Sequence, residues 1–397
     1  MKVIRYWIAA AGVIAVASVT VFGGTSSAHV AKIAKTKCTA SIAVEAPYST
    51  GPAIPQGLEQ LHFAELAVAM DNKSLGINVS LGQNNTGLDP SLATTATNSI
   101  IASKAVAIVG PSGSQEVNAV GPLMKKAGIA GVSGSATLPA LTLSGANPTF
   151  FRVVPNDNAQ GPKDANYIVK HKLGGPAGST VLIVDDQEAY SQGITALMIP
   201  ILQKGGYKVN HQSYNGTDTG ATLQSDLSSL ATSQIDSSTH LVILPWQSGG
   251  NAEQFGQAIQ QQGKHVTLFG TDGTNSPLFV IPGTYVSEFG PDIATSKSPL
   301  AKAMVKGVAK YGPYGAFGVP TWAATNVVMQ AIGAVCKAGK TPSRANVLAA
   351  IRKTKIPAAQ SGLGLPISFQ KNGDLAGAPG FLYKINAKGK YIQIPDK

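Results

Sequence analysis

Between residues 40 and 270 short apolar segments alternate with helix-patterned ones, and this alternation constrains the fold more than any other feature of the chain. Residues 40–45, 77–81, 105–109 and 129–132 are brief apolar runs of the kind found in buried parallel strands. Between them, residues 58–73 carry Leu58, Leu61, Ala64, Leu66 and Met70 on roughly one helical face, and residues 90–103 show a similar alanine-rich pattern. A third helix is expected over 114–126, with the Ser114 hydroxyl as its N-cap. Strands alternating with helices imply parallel sheets with helices on both faces.

The pattern restarts after Pro155. Helices are expected over 160–171, 190–204, 222–230 and 252–262, and strands over 181–185, 209–214, 240–244 and 266–269. The tail turns helical at 298–311, 320–338 and 346–353 before a closing hairpin at 380–394. Ser298 and Pro299 suit an N-cap followed by proline at the first helical position. A helical section after the second α/β unit makes a poor third domain, so it is expected to cross back and complete the first. The 397 residues suffice for two cores. The reading is an α/β protein of two Rossmann-like lobes joined by hinge crossovers. The first lobe spans 38–155 plus 290–378 and the second 156–289 plus 379–397, a hinge arrangement that closes on a ligand.

Ahead of the first strand, Lys2 and Arg5 precede an apolar run from Ile8 to Phe22, and Ser26 and Ala28 flank a suitable cut. Residues 1–28 read as a secretory signal peptide, with an uncleaved anchor as the alternative. Cys38 follows Thr36 and Lys37, which does not suit lipid attachment. No second apolar run approaches the roughly 20 residues of a membrane span. The mature chain is therefore expected outside the cytoplasm, in the periplasm or cell envelope. The full sequence carries a formal charge of +11, or 11 − 2 = +9 without Lys2 and Arg5 of the signal, yet the lysines are scattered and arginine is scarce. Nucleic-acid binders concentrate both, so a solvated basic surface is expected and no nucleic-acid partner. Cys38 and Cys336 are the only cysteines. In an exported chain they read as a disulfide tying the N-terminus to the helix at 320–338, or as two free buried thiols.

Catalytic signatures are missing. G-x-x-x-x-G-K-[ST] does not occur, and G-V-S-G-S at 131–135 lacks the last glycine of a hydrolase elbow. The six histidines are isolated, with neither H-E-x-x-H nor C-x-x-C, so zinc catalysis has no support. Asp185 and Asp186 after a strand suit a helix cap better than acid–base work. No enzyme activity, metal or cofactor is expected.

Binding groups are better represented. V-G-P-S-G-S at 109–114 and V-S-G-S-A-T-L-P at 132–139 bring Gly/Ser/Thr-rich loops to one sheet edge, followed by F-R-V-V-P-N-D-N-A-Q-G at 151–161. Their backbone N–H groups and hydroxyls suit a small anion such as a carboxylate, and open α/β sheets bind ligands at strand C-termini. Ser114 and Thr137 each follow a strand, Tyr190 offers an apolar ring with a polar tip, and Asp272 follows the last strand as an acceptor for an ammonium group. Singly, each has a plain structural role as cap, turn residue or core aromatic. Together they give an anion site on one lobe and a cation acceptor on the other, as a zwitterion needs.

With A-E-L-A-V-A at 64–69, V-G-P-x-x-S at 109–114, S-A-T-L-P-x-L-T at 135–142, D-x-x-x-Y-x-x-G at 186–193 and G-T-D-G at 270–273, a family resemblance emerges. The chain resembles the leucine-binding-protein-like periplasmic substrate-binding proteins of branched-chain amino-acid ABC transporters, of type I periplasmic binding protein fold. The resemblance covers nearly the whole mature length. It implies that Ser114, Thr137 and Ser135, with Ala136 alongside, hold a ligand α-carboxylate, that Tyr190 packs on the ligand and that Asp272 receives the α-ammonium. The side-chain pocket departs from the pattern. Gln56 stands where leucine-type members carry an aromatic, and in L-P-W-Q-S-G-G at 244–250 Trp246 or Gln247 replaces an aromatic pocket residue. The expected function is that of a monomeric, extracytoplasmic solute-binding protein that clamps an amino acid or related small polar solute and delivers it to an ABC permease. The alternatives are a ligand-sensing domain with a separate receptor partner and an exported α/β enzyme.

Overall fold

In the computed structural model residues 38–377 and 380–395 are described; the expected signal peptide lies outside them. The first sheet is built by β1 (Thr39–Ala46), β2 (Asn78–Asn85), β3 (Ala107–Val109), β4 (Ala130–Ser133) and β5 (Phe150–Arg152). They run parallel in the order β2-β1-β3-β4-β5. Helices α1 (Ile54–Leu75), α2 (Pro90–Ala102) and α3 (Ser114–Ala127) connect them. Alternate residues of the central strands face opposite layers, the period of two that a strand imposes. Ile42, Val44, Ala107 and Val109 pack with α1, whereas Ala43 and Ile108 pack with Ala93 and Ile100 of α2 and Val117, Val120 and Met124 of α3.

The chain then builds a second α/β unit: α4 (Asp157–Lys170), β6 (Thr180–Asp185), α5 (Ala189–Lys204), β7 (Lys208–Ser213), α6 (Gly220–Gln234), β8 (Thr239–Leu244), α7 (Gly249–Gln261), β9 (Thr267–Gly270) and β10 (Tyr285–Glu288). After β10 it returns to the first lobe as α8 (Pro299–Val308), α9 (Gly318–Lys337) and α10 (Arg344–Ile351). Met304, Trp322, Val327, Val328, Ile332, Val347 and Ile351 from these helices share one core cluster with Leu61, Phe63, Ala64 and Ala67 of α1. Finally β11 (Phe381–Ile385) and β12 (Tyr391–Ile394) form an antiparallel hairpin beside β10, completing a sheet of order β12-β11-β10-β9-β8-β6-β7. The described residues thus form an α/β protein of two lobes. Strands β5 and β10 are absent from the sequence reading because β5 ends in Arg152 and β10 in Ser287 and Glu288, so neither makes a continuous apolar run.

One expectation needs correcting. Gly318–Lys337 is long and apolar enough, by length and composition, to cross a membrane. It is instead the core helix of the first lobe, and its apolar surround is protein: Trp322, Ala323, Ala324, Val327 and Val328 are all buried. A helix that is apolar all round needs an apolar environment, and a protein core supplies one as well as lipid does. Near its C-terminal end Cys336 is bonded to Cys38 at the entry to β1, with Cα atoms 5.9 Å apart across 298 residues of sequence.

Candidate functional site

The loops at the C-terminal ends of β1, β3 and β4 meet the first turns of α1 on one side of a cleft. Gly110 makes the β3 loop possible: its φ is +117°, and a side chain there would run into the Glu45 carbonyl. The loop then enters α3. Ser114 is the first residue of that helix and not its cap, contrary to expectation: Gly113 holds the N-cap position, and Glu116 Oε2 accepts its N–H at 2.7 Å. The Ser114 hydroxyl is thereby released from capping. Its oxygen accepts from the Leu138 N–H at 3.2 Å, and its proton stays available to donate. Beside it Gln60, Ser112 and Ser135 close a ring: Ser112 Oγ donates to Gln60 Oε1 at 2.6 Å, Gln60 Nε2 to Ser135 Oγ at 3.0 Å, and Ser135 Oγ to the Ser112 carbonyl at 2.8 Å.

The opposite wall comes from the second lobe. Tyr190, in the first turn of α5, donates from its hydroxyl to Asp272 Oδ1 at 2.5 Å, with Thr271 Oγ1 at 2.6 Å. Gln160 of α4 donates to the same Asp272 oxygen at 2.6 Å and to Ser287 Oγ at 2.9 Å. Burial pushes the Asp272 carboxyl up to about 7 against the lowering effect of these two donors. Asp164 is pushed up to about 8 by burial, and Asp157 and Glu288 are raised by burial and then by the Asp272 charge. Burial therefore raises the pKa of several carboxyl groups on this side of the cleft.

Ser114, Ser135, Gln56 and Gln60 from the first lobe and Tyr190, Gln247, Asp272 and Gly273 from the second line one small cavity, together with Leu88 and Phe317. The lobes touch across it: Gln56 Nε2 points at the Gly273 carbonyl at 3.5 Å, and Ser248 Oγ donates to the Pro52 carbonyl at 3.0 Å.

Other sequence-derived candidates lie elsewhere. Trp246 does not line the cavity. It is fully buried among Tyr214 and Phe255 in the second lobe, with its indole N–H donated to the Val184 carbonyl, so it is a core residue. The next residue, Gln247, faces the cleft, its backbone N–H held by Asp186 Oδ2 at 3.0 Å. Ala136 is packed in the first-lobe core, and Thr137 is sealed behind the cavity wall beside Asp157. Gln60, Ser112, Gln160 and Phe317 were not singled out from sequence. Gln60 had a readable signal, a second glutamine one helical turn after Gln56 on a face otherwise committed to the core. Phe317 had none, since only the return of the chain to the first lobe brings it here. Among the described residues no group of three or more His, Cys, Asp or Glu side chains is arranged to hold a metal ion.

Comparison with known proteins agrees with this architecture. A family model described as periplasmic binding protein matches residues 39–390. A curated Leu/Ile/Val-binding protein homolog from Brucella melitensis is 27% identical over 350 residues, covering 86% of this chain and 89% of the relative. Among solved structures, the leucine binding protein LivK of Thermotoga maritima superposes with a TM-score of 0.76 at 20% identity, over 90% of this chain and 98% of that one. A fatty acid ABC transporter substrate-binding protein from Thermomonospora curvata gives 0.75 at 16% identity, over 90% and 92%. Both show the same two-lobed fold. With the family match spanning both lobes and the cleft between them, the chain belongs to the periplasmic binding proteins, a family of solute-binding proteins and not of enzymes.

Proposed function

We propose that this protein is the extracytoplasmic substrate-binding component of an ABC importer, and that it clamps an α-amino acid or related small polar solute between its lobes. The observation that carries the reading is the pairing of Asp272, poised by Tyr190 and Gln160, with the free Ser114 proton across one cavity. An α-ammonium approaching Asp272 favours the ionised carboxylate, and the resulting charge-assisted hydrogen bond is stronger than a neutral one. The α-carboxylate is received at the N-terminus of α3 by the Ser114 hydroxyl and the free backbone N–H groups of the first turn, where the helix dipole favours negative charge. Ser135 and the Ala136–Thr137 segment flank that position, and the Tyr190 ring supplies an apolar floor.

The crossovers after β5 and β10 form the hinge. Closure removes water from both head groups and strengthens each contact. The disulfide at Cys38–Cys336 suits an oxidising compartment, in keeping with a location outside the cytoplasm. The names of the Brucella and Thermotoga proteins support an amino-acid ligand and, with the Thermomonospora protein, a transport role. The permease is then the partner that receives the closed form. Mass spectrometry of small molecules released from the purified protein, followed by calorimetry with the compound found, tests the reading. Recovery of an unmodified amino acid is expected; turnover of the bound compound would overturn it.

A further inference from the structure

Gln56 is buried, yet its Oε1 has no hydrogen-bond partner. The Nε2 of Gln247 is likewise buried and unpartnered. Other buried side-chain atoms among the described residues also lack a protein partner, but these two belong to residues that line one and the same cavity, where a ligand can reach them. Gln56 directs its amide nitrogen to the Gly273 carbonyl, which leaves the oxygen as its free end. Gly273 in turn packs on the Trp246–Gln247 backbone so closely that a side chain there would come within 2.2 Å of the Trp246 carbonyl oxygen and 3.1 Å of Gln247 Cα. Gln56 and Gln247 are therefore neighbours through Gly273, and they offer one acceptor and one donor from facing lobes.

We propose that the cleft is built for an α-amino acid whose side chain ends in a neutral carboxamide, of the asparagine or glutamine type. Its NH₂ donates to Gln56 Oε1, and its carbonyl accepts from Gln247 Nε2. This assignment rests on the amino-acid reading of the cleft. The other side-chain classes fit less well. No Lys, Arg or His lines the cavity, so an acidic side chain finds no counter-charge. Asp272 is the only carboxylate in the lining and is committed to the α-ammonium, so a basic side chain finds none either. A branched aliphatic side chain displaces water from both glutamine amides and leaves two buried groups unpaired, a loss of roughly tenfold or more in affinity for each.

The test is a calorimetric panel on the mature protein with L-glutamine, L-asparagine, L-leucine, L-isoleucine, L-glutamate and L-lysine. At least one of the two carboxamide amino acids is expected to bind tenfold or more tighter than leucine. In a Gln56→Leu, Gln247→Leu variant with the wild-type melting temperature, that preference is expected to vanish while leucine affinity holds or rises. If that variant does not fold, the wild-type panel decides alone. Leucine, isoleucine, glutamate or lysine binding as tightly as the better carboxamide ligand overturns the carboxamide assignment and leaves the amino-acid cleft standing. Failure of all six to bind overturns the amino-acid reading itself.

Discussion

Arg152 Nε donates to Asp374 Oδ1 at 2.7 Å, joining residues 222 positions apart, with the arginine side chain fully buried. The same guanidinium donates to the carbonyls of Ala136 and Leu138 and to Thr142 Oγ1. It thereby holds the loop after β4 on both sides of Thr137. Arginine suits this task because its planar fork satisfies several acceptors at once. The R of F-R-V-V-P thus serves the cleft indirectly, by fixing a wall, and makes no approach to the cavity.

Asp374→Ala is expected to destabilise the protein by about 3–5 kcal/mol, because it leaves a buried guanidinium without its counter-charge. Asp374→Asn keeps a hydrogen-bond acceptor and is expected to cost less. Urea denaturation of both variants checks this. An unchanged midpoint in Asp374→Ala would show that water reaches Arg152 and pairs it.

Asp272→Ala is expected to abolish most binding without unfolding the protein. Truncating one partner of a buried, hydrogen-bonded charge pair costs about 2–5 kcal/mol, which is roughly thirtyfold to several-thousandfold in Kd. Calorimetry with the ligand recovered from the wild type measures it, and wild-type affinity in the variant would remove Asp272 from the site.

Ligand-free stability is expected to be higher near pH 5 than near pH 8. Asp272 titrates at about 7 and Asp164 at about 8 in the folded state, and Asp157 and Glu288 are also raised. In the unfolded chain such groups lose their protons near pH 4. Between those limits the folded state binds more protons, so its stability falls as pH rises. Tyr190 faces Asp272, while Arg152 and Lys163 are the cations facing Asp157 and Asp164. Denaturant midpoints across this range test the slope. The same protonation predicts that an ammonium ligand releases a proton from Asp272 on binding and loses affinity as pH falls below about 7. Calorimetry in buffers of different ionisation enthalpy reads that proton directly.

Reduction of Cys38–Cys336 is expected to lower stability by about 2–4 kcal/mol, since the bridge joins cysteines 298 residues apart and so closes a very long loop. Neither cysteine lines the cavity, so ligand affinity measured under non-denaturing conditions should be unchanged by reductant. A fall in affinity at constant fold would instead tie the N-terminal strand to closure.

The chain's linear pattern determined that there would be parallel sheets and helices, because strand and helix periods of two and 3.6 are local properties of the residues. It also placed Ser114, Tyr190 and Asp272 at strand ends, where loops of α/β sheets gather. What it left open was decided by packing between distant segments. Asp272 acquires its partners from Tyr190 and Gln160, 82 and 112 residues away, and only the meeting of α4, α5 and the β9 loop makes them neighbours. Trp246 and Gln247 are adjacent in sequence, yet the indole fills the core and the amide faces the cleft. No local pattern chooses between them, because a one-residue phase at the end of β8 reverses which side chain points inward. Here the core claimed the larger apolar surface of the tryptophan, and the glutamine was left facing the cleft.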